Sequence, residues 1–320
     1  MRTNNLSFNK SSDVLMTKEC SSKANYICSP MNYIGGKYKL LSQILPLIPK
    51  KVETFVDLFC GGANVGVNMT ANEIIFNDNL VYLIDLYRTF LQNNIEDTLL
   101  YIEDRIDEFA LSLTNQEGYL KLREEYNTCR KSLDLFVLIA YSFNHQIRFN
   151  NNHQFNCPFG KERSCYNART KSNLIHFINA LKNKKVGFTS SNFDDFNYTL
   201  LKSGDYVYAD PPYLITTGSY NDGKRGFTGW NEDSEIRLLD ILKNLDKKNV
   251  LFGLSNVLIH KGKTNKILQT WIEENGYYVN YLSKDYSNCN YHTLDKSKNT
   301  TVEVLVTNYI PIDNDLKLEL

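Results

Sequence analysis

Glu53-Thr-Phe-Val-Asp-Leu-Phe59 is an apolar run too short for a buried helix, and it breaks at once into Cys60-Gly-Gly62. A segment of that length and composition reads as a buried strand. The glycine pair lets a ligand approach the backbone at the strand's carboxyl end. Related patterns follow: Glu73-Ile-Ile-Phe76 ends in Asn77-Asp78, and Asp205-Tyr-Val-Tyr-Ala209 runs straight into Asp210-Pro-Pro-Tyr213. Val250–Leu254, Tyr277–Leu282 and Thr301–Tyr309 are predicted as further strands. Segments of helical period lie among them: Lys37–Leu45 up to Pro46, about Leu80 to Leu91, Ser234–Leu245, and Lys263–Glu274 up to Gly276.

The middle of the chain differs. From Leu91 to about Phe143 the pattern is helical, clearest in Tyr119–Tyr126 and Ser132–Phe143. Arg148–Lys161 breaks it with an asparagine-rich stretch carrying Phe149, Phe155 and Phe159, which reads as a hairpin or loop. Strand–helix alternation at both ends of such a middle predicts an α/β sheet interrupted by an inserted module. With 320 residues the chain can bury the core this needs. The expected units are a loose tail over 1–30, rich in Ser, Asn and Lys; a sheet-bearing domain over 31–85 and 186–310; an insert over 86–185; and a short tail over 311–320.

A net charge of zero gives no sign of a nucleic-acid partner for the molecule as a whole. Local balance says more. From Phe143 to Lys185 the basic residues Arg148, Lys161, Arg163, Arg169, Lys171, Lys182, Lys184 and Lys185 face one acid, Glu162. That is the pattern of a local phosphate-binding face, or of an ordinary solvated surface. The seven cysteines include no CxxC pair, which argues against a zinc site or disulfide framework and fits a reducing cytoplasm. The five histidines show no ligand spacing, so no metal is expected. No signal-peptide pattern and no apolar run of membrane length is present, so no membrane partner is expected.

Three short motifs carry chemistry. Asp78 lies 21 residues beyond Asp57, at the end of the next strand. A carboxylate there can hold both hydroxyls of a ribose, whether the ligand is a dinucleotide or S-adenosylmethionine. The GxGxxG dinucleotide fingerprint is absent, the run being Cys60-Gly-Gly-Ala-Asn-Val-Gly66. Asp210-Pro-Pro-Tyr213 on its own can be a rigid turn, but at a strand end its prolines also leave the Pro211 carbonyl available as an acceptor. The amino group of adenine is a poor nucleophile because its lone pair is delocalised into the ring. A carboxylate and a carbonyl, each accepting one N–H, would localise that pair while Tyr213 stacks on the base. Such a base must leave the duplex to be reached. Asn32-Tyr33-Ile-Gly-Gly-Lys37 is either a helix start with a surface lysine, or an aromatic for an adenine face with a lysine for a carboxylate.

Taken in this order, the motifs resemble the Dam-type DNA adenine methyltransferases, the α-arranged group whose target-recognition region lies between the cofactor motif and DPPY. The resemblance runs from about Met31 to Tyr309. It takes in Phe143-Asn-His-Gln-Ile-Arg-Phe-Asn150, Phe155-Asn-Cys-Pro-Phe-Gly-Lys161, Leu254-Ser-Asn-Val257 and Glu303-Val-Leu-Val-Thr-Asn-Tyr309. It implies a Rossmann-like methyltransferase sheet with helices on both faces. The insert would be a mostly helical target-recognition domain carrying a β-hairpin. It further implies S-adenosyl-L-methionine as methyl donor, with Tyr33, Lys37, Asp78 and Asp210 matching its contacts and Asp57 and Gly61 lining the same pocket. Asp210, Pro211, Pro212 and Tyr213 match the catalytic motif.

On the DNA side, Phe143 matches an aromatic that wedges into the opened duplex, with Asn144 beside it. Arg148 matches an arginine that reads a guanine through O6 and N7, and Pro158 an apolar contact to a thymine methyl. Gln146, Asn150, Lys161 and Arg163 complete the expected DNA-binding set. Two departures leave GATC recognition open: Asn32 stands where some GATC enzymes carry Lys, and Gln146 where an apolar side chain is common.

The implied function is site-specific adenine N6 methylation of duplex DNA, in restriction–modification or in protection of phage or host DNA. The setting would be the cytoplasm of a bacterial or phage-infected cell, with a cognate restriction endonuclease as candidate partner. The alternatives are a cytosine-N4 or RNA amino methyltransferase, or a non-catalytic DNA-binding homologue. Asp210 disfavours the cytosine enzymes, where Ser is commoner. RNA enzymes typically lack the 143–161 segment, and a dead homologue would carry a damaged motif. Leu214 to Trp230, with four glycines among Tyr220, Phe227 and Trp230, reads as a lid over the target base or as a plain loop.

Overall fold

A computed structural model describes residues 26–31, 33, 35–216, 229–282 and 301–311. Four parallel strands form one half of its sheet. β1 (Thr54–Asp57) lies between β2 (Glu73–Asn77) and β4 (Tyr206–Ala209), with Phe55 opposite Ile74 on one side and Tyr206 on the other. β3 (Val186–Thr189) flanks β2. β5 (Leu251–His260) continues parallel beside β4, and a two-residue β6 (Lys263–Thr264) folds back on its end. β7 (Tyr278–Leu282) and β8 (Thr301–Thr307) close the far side antiparallel, with β8 inserted between β5 and β7.

The order is β3-β2-β1-β4-β5-β8-β7. The chain moves outward in one direction from β1 to β3 and in the other from β4 onward. A crevice therefore opens at the carboxyl ends of β1 and β4.

The two-residue period of the strands divides the core. Phe55, Tyr206 and Tyr208 pack on the face covered by α1 (Leu41–Ile44), α2 (Val81–Gln92), α5 (Ser132–Tyr141) and α6 (Ala168–Lys182). Val56, Leu58, Val207 and Ala209 pack on the other, covered by α7 (Glu232–Lys247) and α8 (Lys266–Asn275). This is the sheet with helices on both faces that the sequence leads one to expect. The helical insert also contains α3 (Ile95–Glu108) and α4 (Gln116–Cys129), which pack on α5. Its apolar cluster is continuous with that of the first sheet face. Asp134 on α5 is fully buried and is held by Arg105 of α3 at 2.9 Å, with the Tyr101 hydroxyl donating to it at 2.9 Å.

Asparagines start most of these helices. The side chains of Asn94, Asn115, Asn167, Asn231 and Asn265 accept N–H bonds in the first turns of α3, α4, α6, α7 and α8.

Several expectations are corrected. Residues 26–29 do not belong to a loose tail. Asn68 exchanges hydrogen bonds with the Ile27 backbone, the Ser29 N–H donates to Asn64 Oδ1, and Ser29 is buried. The helix expected from Lys263 begins at Lys266, because Lys263 and Thr264 pair with β5, which itself runs on to His260. β3, which the sequence reading missed, is a half-buried edge strand with Gly187 in it, too weakly patterned to stand out. The basic run is also split. Lys184 donates to the Met69 carbonyl and Lys185 to Glu73 at 2.9 Å, both near the start of β2, while Lys171 pairs with Glu103 and Lys182 donates to the Leu91 carbonyl. Each of these four lysines thus has a partner within the protein, at separate places in the fold. Among the described residues no helix is long and apolar enough to cross a membrane.

Candidate active site

The ends of β1, β2 and β4 and the turn before α1 enclose a cavity of about 620 Å3. At the end of β1, Asp57 is buried and its Oδ2 accepts the Gly66 N–H at 3.0 Å. Burial pushes its pKa up to about 7. Asp210 and Asp78 add to the rise, and the Gly66 bond and Lys37 oppose it. Gly61 sits at φ +45°, and a Cβ there would lie 2.8 Å from the Tyr33 ring. Only glycine meets both demands, so the ring lies directly on this turn.

At the end of β2 the Asp78 carboxylate links two elements. Its Oδ2 accepts the Gly61 N–H at 3.0 Å, and its Oδ1 accepts the Leu80 N–H at 2.9 Å where α2 begins. Burial raises its pKa as well. From the opposite side the Tyr87 hydroxyl donates to the Gly61 carbonyl at 2.6 Å. The glycine turn is therefore held at both its N–H and its C=O.

Lys37 is 5% exposed and is not a surface lysine. Its Nζ lies 2.7 Å from Asp210 Oδ2 and 3.7 Å from Glu303 Oε1, donates to the Gly35 carbonyl at 2.8 Å, and stands 5.0 Å from the centre of the Tyr213 ring. The other oxygen of Asp210, Oδ1, accepts from the Tyr213 hydroxyl at 3.0 Å. Burial raises the Asp210 pKa, with Lys37 opposing. Burial likewise holds the Tyr213 hydroxyl well above its ordinary pKa, so it remains an O–H donor. Glu303, on β8, was not among the expected site residues; its strand was recognised, but nothing in the alternation marks one inward carboxylate as facing a site 93 residues away along the chain from Asp210.

An aromatic wall on the far side was also missed. Phe59, Phe193 and Trp230 meet at centroid distances of 5.7, 5.8 and 5.2 Å. The Trp230 Nε1–H donates to Glu235 Oε2 at 2.7 Å, and Glu235 Oε1 accepts from Asn256 at 2.9 Å and Asn265 at 3.0 Å. Phe59 stood in the glycine motif and Trp230 at the end of the expected lid, but only the fold brings them to one wall. Of that lid, residues 217–228 lie outside the described residues, as does Asn32.

The hairpin of the insert is held by bridges between Ser142 and Phe159 and between Phe149 and Phe155. Phe149 stacks on Tyr82 of α2 at 4.5 Å, so the hairpin rests on the helix that begins just beyond Asp78. Phe143 is 39% exposed, its N–H donates to the Pro158 carbonyl at 2.7 Å, and the Arg163 guanidinium lies 5.1 Å from its ring. Phe143, Pro158 and Arg163 thus come together, with Asn144 beside them at φ +54° and Lys161 exposed.

Other expected contacts serve the hairpin in this state. Arg148 donates to Asn156 Oδ1 at 2.9 Å and to the Asn156 carbonyl at 2.6 Å. Asn150 Oδ1 accepts the N–H groups of Asn152 and Gln154, each at 3.0 Å. The Gln146 carbonyl accepts from Ser142 at 3.0 Å.

The family described as D12 class N6 adenine-specific DNA methyltransferase matches residues 33–287. The chain is 49% identical over 307 residues to the type II methyltransferase M.FokI of Planomicrobium okeanokoites, covering 96% of this chain and 46% of that protein. It is 48% identical over 289 residues to the modification methylase StsI of Streptococcus sanguinis, covering 90% and 44% respectively. Against the DNA adenine methylase of Salmonella typhi it is 30% identical over 235 residues, covering 71% of this chain and 79% of that one. The chain spans about half the length of the first two relatives.

Proposed function

The chain belongs to the D12 class of N6 adenine-specific DNA methyltransferases, and on that footing we propose that it methylates the amino group of an adenine swung out of duplex DNA. One observation carries this reading: Asp210 and Tyr213, at the end of β4, line the same cavity as Asp78 and the glycine turn.

The cavity suits S-adenosylmethionine. It offers a buried acid at a strand end for a ribose, an aromatic wall for a purine, and a glycine turn for close approach. Of the charged residues lining it, Asp57, Asp78 and Asp210 are acids and Lys37 and Arg237 are bases. Arg237 is paired with Asp194 at 3.1 Å, so the acids outnumber the remaining base, a balance that favours a cationic ligand. Each oxygen of Asp78 that already accepts a backbone N–H keeps a second lone pair for a hydroxyl. When bound, the cofactor supplies a methyl group on a positively charged sulfur; transfer forms one N–C bond and breaks one C–S bond, the bonding pair staying on sulfur.

The residues of the chain do the rest. Asp210 accepts one N–H of the target amino group and the Pro211 carbonyl the other, which localises the nitrogen lone pair. Tyr213 lies against the base. Positive charge grows on the nitrogen during transfer, and the Asp210 carboxylate stabilises it. The proton then shed passes to that carboxylate or to water, and the raised proton affinity of Asp210 suits it to the task.

Residues 86–185 would supply DNA recognition. Phe143 fills the gap left by the base, Lys161 and Arg163 meet phosphates, and Pro158 meets a thymine methyl. Arg148 reads a guanine on exchanging Asn156 for the base edge. A companion endonuclease would fit a relative named as a modification methylase; GATC is the site to test first.

The test is single-turnover transfer of a labelled methyl group at saturating cofactor. Asp210→Asn keeps the shape and loses the charge, and is expected to slow transfer on the order of 10²–10³-fold with cofactor still bound. A rate near wild type would overturn the assignment. Digestion of DNA from expressing cells with methylation-sensitive endonucleases identifies the recognised sequence.

A further inference from the structure

Tyr213 has one hydroxyl proton and two carboxylate oxygens to receive it. Asp210 Oδ1 and Glu303 Oε1 each lie 3.0 Å from its oxygen, and one O–H donates at full strength to one of them at a time. The second oxygen of Asp210 is held by Lys37 at 2.7 Å. While the hydroxyl faces Asp210, each oxygen of that carboxylate already accepts one donor and keeps one further lone pair. An arriving amino N–H then shares Oδ1 with the phenolic O–H, and two donors on one oxygen compete for its negative charge.

Glu303 offers the way out. It enters from β8, away from the DPPY segment, and is 6% exposed. A carboxylate so placed is costly unless compensated, and the Lys37 ammonium 3.7 Å away offsets its charge. Turning the phenolic O–H from Asp210 to Glu303 needs only rotation about the C–O bond, with no heavy atom moving. We propose that Glu303 is a positioning residue that takes over the Tyr213 hydroxyl when the target base arrives, so that Asp210 Oδ1 accepts the amino N–H without a competing donor. The inference rests on the role given to Asp210 above. It differs from a purely structural role in one respect: Glu303 matters to catalysis only while Tyr213 carries a hydroxyl.

A double-mutant cycle reads that dependence. Single-turnover transfer at saturating DNA and cofactor is compared in wild type, Glu303→Gln, Tyr213→Phe and the double variant, with Asp210→Asn alongside. Gln keeps the shape but is the weaker acceptor, so Glu303→Gln is expected to slow transfer about tenfold in wild type. In the Tyr213→Phe background the same change is expected to cost less than about twofold, because no hydroxyl needs moving. Thermal melts and cofactor titration check folding. If Gln does not fold, Glu303→Asp, which draws the carboxylate back, completes the cycle. An equal loss in both backgrounds, or none in either, overturns the proposal while Asp210→Asn stays slow. A fast Asp210→Asn overturns the reading of Asp210 itself.

Discussion

Asp57, Asp78 and Asp210 share a cavity with Lys37, and burial raises the pKa of each. Asp57 shows it most clearly, since burial lifts its pKa from 3.8 to about 7. A carboxyl group whose folded pKa is raised favours the folded state most when protonated. That contribution is complete below the unfolded pKa and is lost as pH climbs through the folded value. The window runs from about 4 to 7. Asp57→Asn removes the titration and keeps an oxygen able to accept the Gly66 N–H. Between pH 5.5 and 7.5 the stability of cofactor-free wild type, measured against this variant, is expected to fall by about 2 kcal/mol. Denaturant melts at the two pH values check it, and a constant difference would mean that Asp57 titrates normally. Asp78 contributes on two levels, since it fixes the glycine turn and faces the proposed ribose. Asp78→Ala is therefore expected to weaken cofactor binding at least about tenfold, and an unchanged affinity in titration would move the ribose elsewhere.

At the scale of elements, the hairpin is the part on whose internal order the proposed DNA recognition depends. Gly160 approaches it closely: a Cβ there would sit 2.7 Å from the Ser142 carbonyl oxygen, a backbone atom that cannot step aside cheaply. Gly160→Ala is expected to cost about 1–3 kcal/mol of stability. It should lower DNA affinity and leave cofactor affinity within about twofold, because the cavity lies on other elements. Fluorescence titration with each ligand separates the two effects, and loss of both together would show that the hairpin and cavity are one unit. Arg148 and Asn156 divide in a similar way. Asn156→Ala removes one of the two hydrogen bonds from Arg148 and leaves the guanidinium, so site preference should survive it and fail in Arg148→Ala. Methylation rates on single-base-substituted duplexes are the readout.

For the whole molecule, the shared sheet makes one cooperative unit of two cores. The insert packs with one face and α7 and α8 with the other, and Phe55 and Val56, neighbours on β1, belong to different cores. Both tryptophans of the chain, Trp230 and Trp271, lie in the α7/α8 core. Their fluorescence reports that face, whereas far-UV circular dichroism is dominated by helices on the other. Coincident transitions by the two probes are expected, since neither face can keep its apolar surface buried once the sheet is lost. A fluorescence transition well separated from the dichroism would show that the halves unfold independently.

Local structure was legible in the sequence. Apolar runs ending at Cys60, Asn77 and Asp210 located three strand ends, because strand length, glycine and proline act over a few residues. DPPY and Asp78 were placed at such ends, and the structure puts both on one cavity. Helix starts were less legible, since the asparagines that cap α3, α4, α6, α7 and α8 look like loop residues until the N–H they accept is known. The partners of charged groups depended wholly on the tertiary structure. Lys184 and Lys185 read as part of a basic face, yet the fold turns them to Met69 and Glu73. Lys37 read equally well as a surface lysine, yet it is buried between Asp210 and Glu303. Periodicity records which face of an element is apolar; which distant charge an inward polar side chain meets is set by the order of strands in the sheet, and here β8 lying beside β5 brought Glu303 to Tyr213.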